Sequence, residues 1–383
     1  MSLTKDFGLI PQSERFAKRI ATTDISNYKV VRKGWLVYNP YVLWEGAIHA
    51  LRNAEIGLVS PVYHIWEPVG ASSKFLDYLL KTPDLLNEYL RVAHGTVKRR
   101  RAVRTMAFQK LVVTLPPPPE QEAIAGALDA IQLAVKARQR ELALERERKA
   151  ALMEYLFAHG TRGEPRKQTE IGEIPESWEL AKLGSLARIG NGSTPKRSDE
   201  SYWKNGTTPW ITSTQVHDVT ITQAHEYVTD TARKECHLPL VPKWSIVVAI
   251  TGQGKTLGNA AILAIDACIN QHLAYVSIQR ESICPQFVLF YLQSKYEYLR
   301  GVSSAGGSTK GALTCGFLKT MSIPVPPFDQ QAAIAELLLA CEKKCGALES
   351  EIALLNELFR AMLKELMTGQ LSSMPLIEEG AAQ

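Results

Sequence analysis

Apolar side chains recur along residues 334–366 at alternating steps of four and three: Ile334, Leu338, Cys341, Cys345, Leu348, Ile352, Leu355, Phe359, Met362 and Leu366. That spacing is the a/d seam of a heptad repeat and predicts about 50 Å of helix at 1.5 Å per residue. A second run keeps the same register through Ile124, Leu128, Ile131, Val135, Arg138, Leu142, Glu145, Lys149, Leu152 and Leu156. Three of its ten positions are polar, and a register shift or a looser grip is expected there. Gly160 and Gly369 lie just past the two runs and suit helix C-caps. Elsewhere the apolar residues come in short runs that predict strands: "WLVYN" (35–39), "VYHIW" (62–66), "WSIVVAI" (244–250), "AAILAI" (260–265) and "LAYVSI" (273–278).

The two heptad runs belong to an internal repeat. "LPPPPEQEAIAGALDA" (115–130) and "VPPFDQQAAIAELLLA" (325–340) are identical at 8 of 16 positions without a gap, among them Pro116/Pro326, Gln121/Gln331, Ile124/Ile334 and Leu128/Leu338. At the same offset "VRKGWLV" (31–37) lies over "VPKWSIV" (241–247). A shift of two aligns "FLDYLL" (75–80) with "FVLFYL" (287–292), and "HGTVK" (94–98) with "GGSTK" (306–310). Each half therefore reads as short strands, a short helix, a Gly-[Ser/Thr]-x-Lys loop, a strand, a Pro pair and a long helix. The first copy has no counterpart to residues 178–210. One register in two tandem helices predicts a mutual coiled coil, antiparallel if a pseudo-twofold axis relates the halves, with one lobe at either end. The plainer alternative packs each helix on its own lobe. Residues 160–179, polar and punctuated by Gly and Pro, read as a linker.

Composition narrows the class. The chain has 383 residues and 45% hydrophobic content, which suits two or three folded domains. The N-terminus has no apolar signal region and no run is long enough to span a bilayer, which points to a cytoplasmic protein without membrane contact. The six cysteines include no C-x-x-C pair, so neither a disulfide framework nor a metal site is expected, and no cofactor. A net charge of +5 permits a polyanionic partner without demanding one.

Enzyme motifs are incomplete. "AITGQGKT" (249–256) has Ala249 where a Walker A loop needs its first Gly. "VPPF" (325–328) has Val325 where an amino-methyltransferase needs an Asp or Asn to accept from the target amine, and "NPY" (39–41) lacks the second Pro. No nucleophile–base pair stands out, and no catalytic residue is assigned.

Taken together, "EIGEIPESWELAKLGSL", the following "NGSTPKRSDESYW" and "PWITSTQV", and the duplicated Pro-Pro/Gln/Ala-Ile helix start resemble the specificity (S) subunit of type I restriction–modification systems. The resemblance implies a mixed α+β fold: two target-recognition domains separated by two long helices in an antiparallel coiled coil, with a pseudo-twofold internal repeat. It implies a non-catalytic DNA-binding subunit. Each recognition domain would read half of a bipartite double-stranded target, and the helices would set the spacer. Two methyltransferase subunits would dock on the helices, and restriction subunits would join through them. The corresponding boundaries are a first recognition domain at 1–116, a central helix at 117–160, a linker at 161–174, a second recognition domain at 175–325, a distal helix at 326–369 and a tail at 370–383. A coiled-coil adaptor without nucleic-acid recognition is the competing reading.

Three loops are candidates for DNA contact. "HGTVKRRRAVR" (94–104) offers Gly95 for close backbone approach, Thr96 for a phosphate, and Lys98, Arg99, Arg100, Arg101 and Arg104 for charge and base-reading forks. Its counterpart offers Ser308, Thr309 and Lys310, and "GNGSTPKRSDESYW" (190–203) adds Ser193, Thr194, Lys196 and Arg197. Trp203 and Trp210 are expected to pack rather than stack on bases. For Gln121 and Gln331, helix capping and contact with a partner subunit are both open.

Overall fold

A computed structural model describes residues 1–5, 8–15, 25–95, 101–252, 255–305 and 313–381. The chain divides into two compact units, Met1–Arg140 with Ser350–Gln383, and Glu141–Glu349. Each unit contains one globular lobe and a portion of both long helices.

The first unit opens with a hairpin, β1 (Ser2–Thr4) and β2 (Gly8–Ile10), and a short α1 (Gln12–Arg15). β3 (Lys29–Arg32) pairs with β6 (Ile56–Val59), and β4 (Leu36–Tyr38) lies between β5 (Ile48–Ala50) and β7 (His64–Trp66), all antiparallel. Helices α2 (Ser73–Leu79), α3 (Pro83–Val92) and α4 (Thr105–Gln109) follow, then α5 (Pro118–His159). Leu36, Tyr38, Leu43, Ile48 and Tyr89 centre the lobe's core.

In the second unit β8 (Arg166–Thr169) and β9 (Gly172–Pro175) form a hairpin inside the stretch expected to be a linker. Thr169 Oγ1 donates to Gly172 O at 2.6 Å and Arg162 pairs with Asp329 at 2.5 Å, so this stretch is folded against the start of the distal helix. β10 (Glu179–Lys182) and α6 (Leu183–Leu186) lead into β11 (Ala187–Asn191). The larger sheet runs β11–β18–β15–β16–β13, with β13 at Thr220–Ile221, β15 at Ile246–Ala249, β16 at Ala260–Leu263 and β18 at Leu273–Ile278. A smaller sheet runs β14–β12–β17, with β12 at Thr208–Ile211, β14 at Glu226–Val228 and β17 at Cys268–Ile269. α7 (Asp230–Glu235), α8 (Pro285–Ser294), α9 (Tyr296–Ala305), α10 (Cys315–Thr320) and β19 (Ser322–Val325) precede α11 (Phe328–Met367) and a terminal α12 (Met374–Ala381).

The repeat seen in sequence is a repeat of structure. Leu36 faces Trp66 across β4 and β7 as Ile246 faces Val276 across β15 and β18. Val31 opposes Gly57 as Val241 opposes Ala267. The N–H of Val103 donates to Pro40 O at 2.9 Å, and that of Leu313 to Ile250 O at 2.7 Å. One left-handed turn position holds Gly34 (φ 82°) in the first copy and Trp244 (φ 69°) in the second.

The two conserved-offset glutamines perform one task twice. Gln121 Oε1 accepts from Ser72 N at 2.8 Å while its Nε2 donates to Pro116 O at 2.8 Å. Gln331 Oε1 accepts from Cys284 N at 2.8 Å while its Nε2 donates to Pro326 O at 2.8 Å and Ser282 O at 3.1 Å. Both side chains are 1% exposed. Each ties the residue that opens a lobe helix (α2 or α8) to the Pro pair before a long helix. This satisfies backbone groups that water cannot reach.

The heptad register survives its polar interruptions. All twenty seam positions are buried or half-buried, Arg138, Glu145 and Lys149 included. The expected register shift does not occur, because each polar residue finds an ion partner within its own unit. Arg138 pairs with Glu351 at 2.7 Å, Lys149 with Glu342, and Glu145 with Arg148 and with Lys344 at 3.6 Å. Pairing runs antiparallel: Lys149 meets Glu342 and Arg146 meets Glu349 in one unit, while Ile124 and Leu128 share a cluster with Leu366 in the other. The helices also pack on the lobes. Phe157 of α5 meets Phe287 and Tyr291 edge-on at 5.4 and 5.3 Å, so the two expected packing arrangements coexist. Gly160 (φ 66°) and Gly369 (φ 69°) close the two helices in the left-handed conformation.

The strand expected before each Pro pair forms only once. β19 pairs with β10 along Ser322–Val325. Residues 111–115 have no such partner, form no strand, and leave Val112 92% exposed. A strand needs a neighbouring segment to share its ladder, and among the described residues this one pairs with none.

Candidate nucleic-acid interface

In the second lobe, residues 191–203 form a loop with little freedom. Gly192 lies so close to β17 that an added Cβ would fall 1.8 Å from Ile269 O. Ser193 N donates to that same carbonyl at 3.1 Å. The indoles of Trp210 and Trp203 donate to Ser193 O and Lys196 O at 3.2 and 3.1 Å. Arg197 lies over both rings, 4.0 Å from the Trp203 centroid and 4.8 Å from that of Trp210, and its guanidinium binds Glu226. Arg197 and the two tryptophans thus brace the loop, with Trp210 buried. Lys196, next in sequence, is exposed.

Beside this loop the β17–β18 turn presents residues that sequence reading did not single out. Asn270 is 5% exposed; its N–H donates to Ile211 O at 3.0 Å and its Oδ1 accepts from His272 N at 3.1 Å, forming an Asx turn. Gln271 and His272 are exposed. Thr194 Oγ1 donates to Gln271 Oε1, Gln271 Nε2 lies 3.3 Å from His272 Nε2, and His272 Nδ1 lies 2.5 Å from Thr251 Oγ1. His217 Nε2 meets Thr256 Oγ1 at 3.2 Å. The only sequence signal for this rim is a polar "NQH" between two apolar β runs. Thr251 and Thr256 of the Walker-like stretch make the contacts to His272 and His217. That stretch leads from β15 into the antiparallel β16, whereas a phosphate-cradling loop must run into a helix.

In the first lobe the basic loop is clamped at its base. His94 and Ala102 exchange two backbone hydrogen bonds of 3.0 Å, and Gly95 has φ 136°. Arg101 is half-buried and Arg104 exposed. Thr96, Lys98, Arg99 and Arg100 lie outside the described residues, as do Ser308, Thr309 and Lys310 in the second copy. Among the described residues no three His, Cys, Asp or Glu side chains gather as metal ligands, and no helix is long and apolar enough to cross a membrane.

The family model described as the type I restriction modification DNA specificity domain matches residues 175–358, the span that holds this loop and turn. Over this span the chain is similar to type I restriction–modification specificity subunits. It is 30% identical over 205 residues to the type I restriction enzyme MjaIX specificity subunit of Methanocaldococcus jannaschii, covering 51% of this chain and 45% of that one. It is 24% identical over 274 residues to the MjaVIII specificity subunit of the same organism, covering 69% and 63%. The matches thus span less than two thirds of these relatives. The fold is that of the crystal structure of the type I restriction-modification S subunit from M. genitalium, with TM-score 0.58, 16% identity, and 88% and 83% of the two chains covered. The matched domain includes Ser193, Thr194, Lys196 and Arg197, while the basic loop of the first lobe lies outside the match.

Proposed function

We propose that the chain reads a bipartite duplex DNA target, with its recognition domains at 1–116 and 175–325, and lends that selectivity to enzymes bound to it without catalysing a reaction itself. One observation carries this reading: a lobe seated on a long helix is built twice, with the same strand pairings and the same Gln joint, in a chain similar to this family. A bipartite target needs two such readers joined by a spacer of fixed length. Arg104 and Lys196, with Lys98 and Lys310, supply cations for phosphates, and Arg101, with Arg99 and Arg100, supplies forks for base edges. Gly95 and Thr96, and Ser193, Thr194, Ser308 and Thr309, bring backbone and hydroxyl groups close. Arg197 acts through the loop it braces. Exposed leucines on the long helices, Leu133, Leu144, Leu337, Leu354 and Leu358, support docking of two methyltransferase subunits there, with restriction subunits joining through them.

The test is duplex binding by the chain purified with its methyltransferase subunits, read by fluorescence anisotropy against a shuffled duplex. Strong preference for one bipartite sequence is expected. Equal binding to every duplex overturns the reading and leaves the coiled-coil adaptor.

A further inference from the structure

Gln271 is an exposed side chain held as if it were buried. An exposed glutamine ordinarily samples several rotamers, and ordering it costs conformational entropy. Here Thr194 holds one end of the amide and His272 the other, while the Asx turn of the buried Asn270 fixes the backbone beneath. The donors and acceptors can be assigned from these contacts. Thr194 donates its hydroxyl to Gln271 Oε1, which places Nε2 against His272. A donor on Nε2 requires an acceptor, so His272 Nε2 carries no proton and Nδ1–H points at Thr251 Oγ1. Each amide atom then has one function in use and one in reserve. Among the described residues, the second lone pair of Oε1 and the second hydrogen of Nε2 have no partner.

We propose that Gln271 reads an A·T base pair in the major groove, with Thr194 and His272 as positioning residues that fix its amide. This rests on the DNA-binding reading above. One acceptor beside one donor in a single plane complements the N6–H and N7 of adenine, whereas guanine offers two acceptors and cytosine a donor alone. Ordering the amide before DNA arrives is the preorganisation that a selective contact needs. The loop that supplies Thr194 also carries the exposed Lys196 two residues on, so one rigid segment offers a positioning hydroxyl and a phosphate-seeking cation. Gly192 is what lets that segment reach the turn, because no side chain fits between it and Ile269.

The experiment selects duplexes from a randomised pool with the chain bound to its methyltransferase subunits, and compares the wild type with Gln271→Ala, Gln271→Glu, Thr194→Val and Thr194→Ser. Wild type should require an A·T pair at one position. Gln271→Ala should lose roughly tenfold to hundredfold of the preference there and nowhere else. Gln271→Glu, nearly the same shape, should shift it toward the pair that offers the cytosine N4 donor. Thr194→Val should blur the same position and Thr194→Ser restore it, which a merely structural Thr194 would not do. Thermal unfolding of each complex monitors folding, and all four variants should melt as the wild type does. If the wild type selects a bipartite sequence and Gln271→Ala and Gln271→Glu both leave every position unchanged, the inference is wrong. If the wild type selects nothing, the DNA-binding reading itself fails.

Discussion

Lys196 and Arg197 are adjacent and both exposed, but Arg197 is committed to Glu226 and to two indole faces. Lys196→Ala should therefore lower the slope of log affinity against log salt by about one, with the melting temperature unchanged. Arg197→Ala should leave the slope alone and cost about 0.5–1 kcal/mol of stability through the lost stacking. Salt titration and chemical denaturation of both variants check this, and a reversed pattern would reassign both residues. The basic residues of these loops were legible in the sequence; their division into brace and contact was not, because it depends on Trp203, Trp210 and Glu226, which only the fold brings together. The same holds for Gln121 and Gln331. Their repetition was plain, but their task needed Ser72 and Cys284, 49 and 47 residues away. Gln271 and His272 left almost no trace, since a polar turn between strands is ordinary until its hydrogen bonds are known.

Periodicity made the long helices the most legible elements, because a heptad seam is a local signal that tertiary contacts only reinforce. What it hid was how a polar seam residue stays in register. Residues 111–115 show the converse: apolar composition predicted a strand, but a strand is a property of two segments. The seat of the first lobe on α5 joins an apolar cluster of Phe75, Tyr78 and Leu79 with Ile124 and Leu128 to an electrostatic part that is invisible to periodicity. Asp77, buried in α2, meets Lys81 at 3.0 Å, Arg52 at 2.9 Å and His49 at 3.3 Å, and Arg52 goes on to Asp129 of α5 at 2.5 Å, where Tyr78 also donates. Burial alone would raise the Asp77 pKa, but Lys81, His49 and Arg52 together hold it well below the usual carboxylate range. A depressed folded pKa means stability that is present above the unfolded value, near 4, and is lost as the pH falls through the folded one. Unfolding of the first unit should thus become easier below about pH 4. Asp77→Asn should lose this acid sensitivity and be destabilised at pH 7 by about 3–5 kcal/mol, because Lys81 and Arg52 lose their buried counter-ion. Denaturation at pH 7 and pH 3 checks it, and an unchanged acid response in Asp77→Asn would assign the effect to other carboxylates.

At the scale of the whole molecule, the division into two compact units, each with its own lobe core, has a consequence for specificity. Arg101 belongs to one unit and Gln271 to the other, and they share no hydrogen-bond or ion partner among the described residues. Changes at sites without shared partners add to within about 0.5 kcal/mol, whereas residues of one network do not. If each lobe reads its own half of the target, Arg101→Ala should weaken preference in one half-site only and Gln271→Ala in the other. The double variant should show the sum. Thr194→Val combined with Gln271→Ala should behave differently, costing little more than Gln271→Ala alone, because Thr194 acts through the amide that has been removed. Binding of the four variants to duplexes altered in one half at a time distinguishes the cases. Strong coupling between Arg101 and Gln271 would mean that the lobes read one continuous site, and the duplicated joint at Gln121 and Gln331 would then serve stability rather than a divided target.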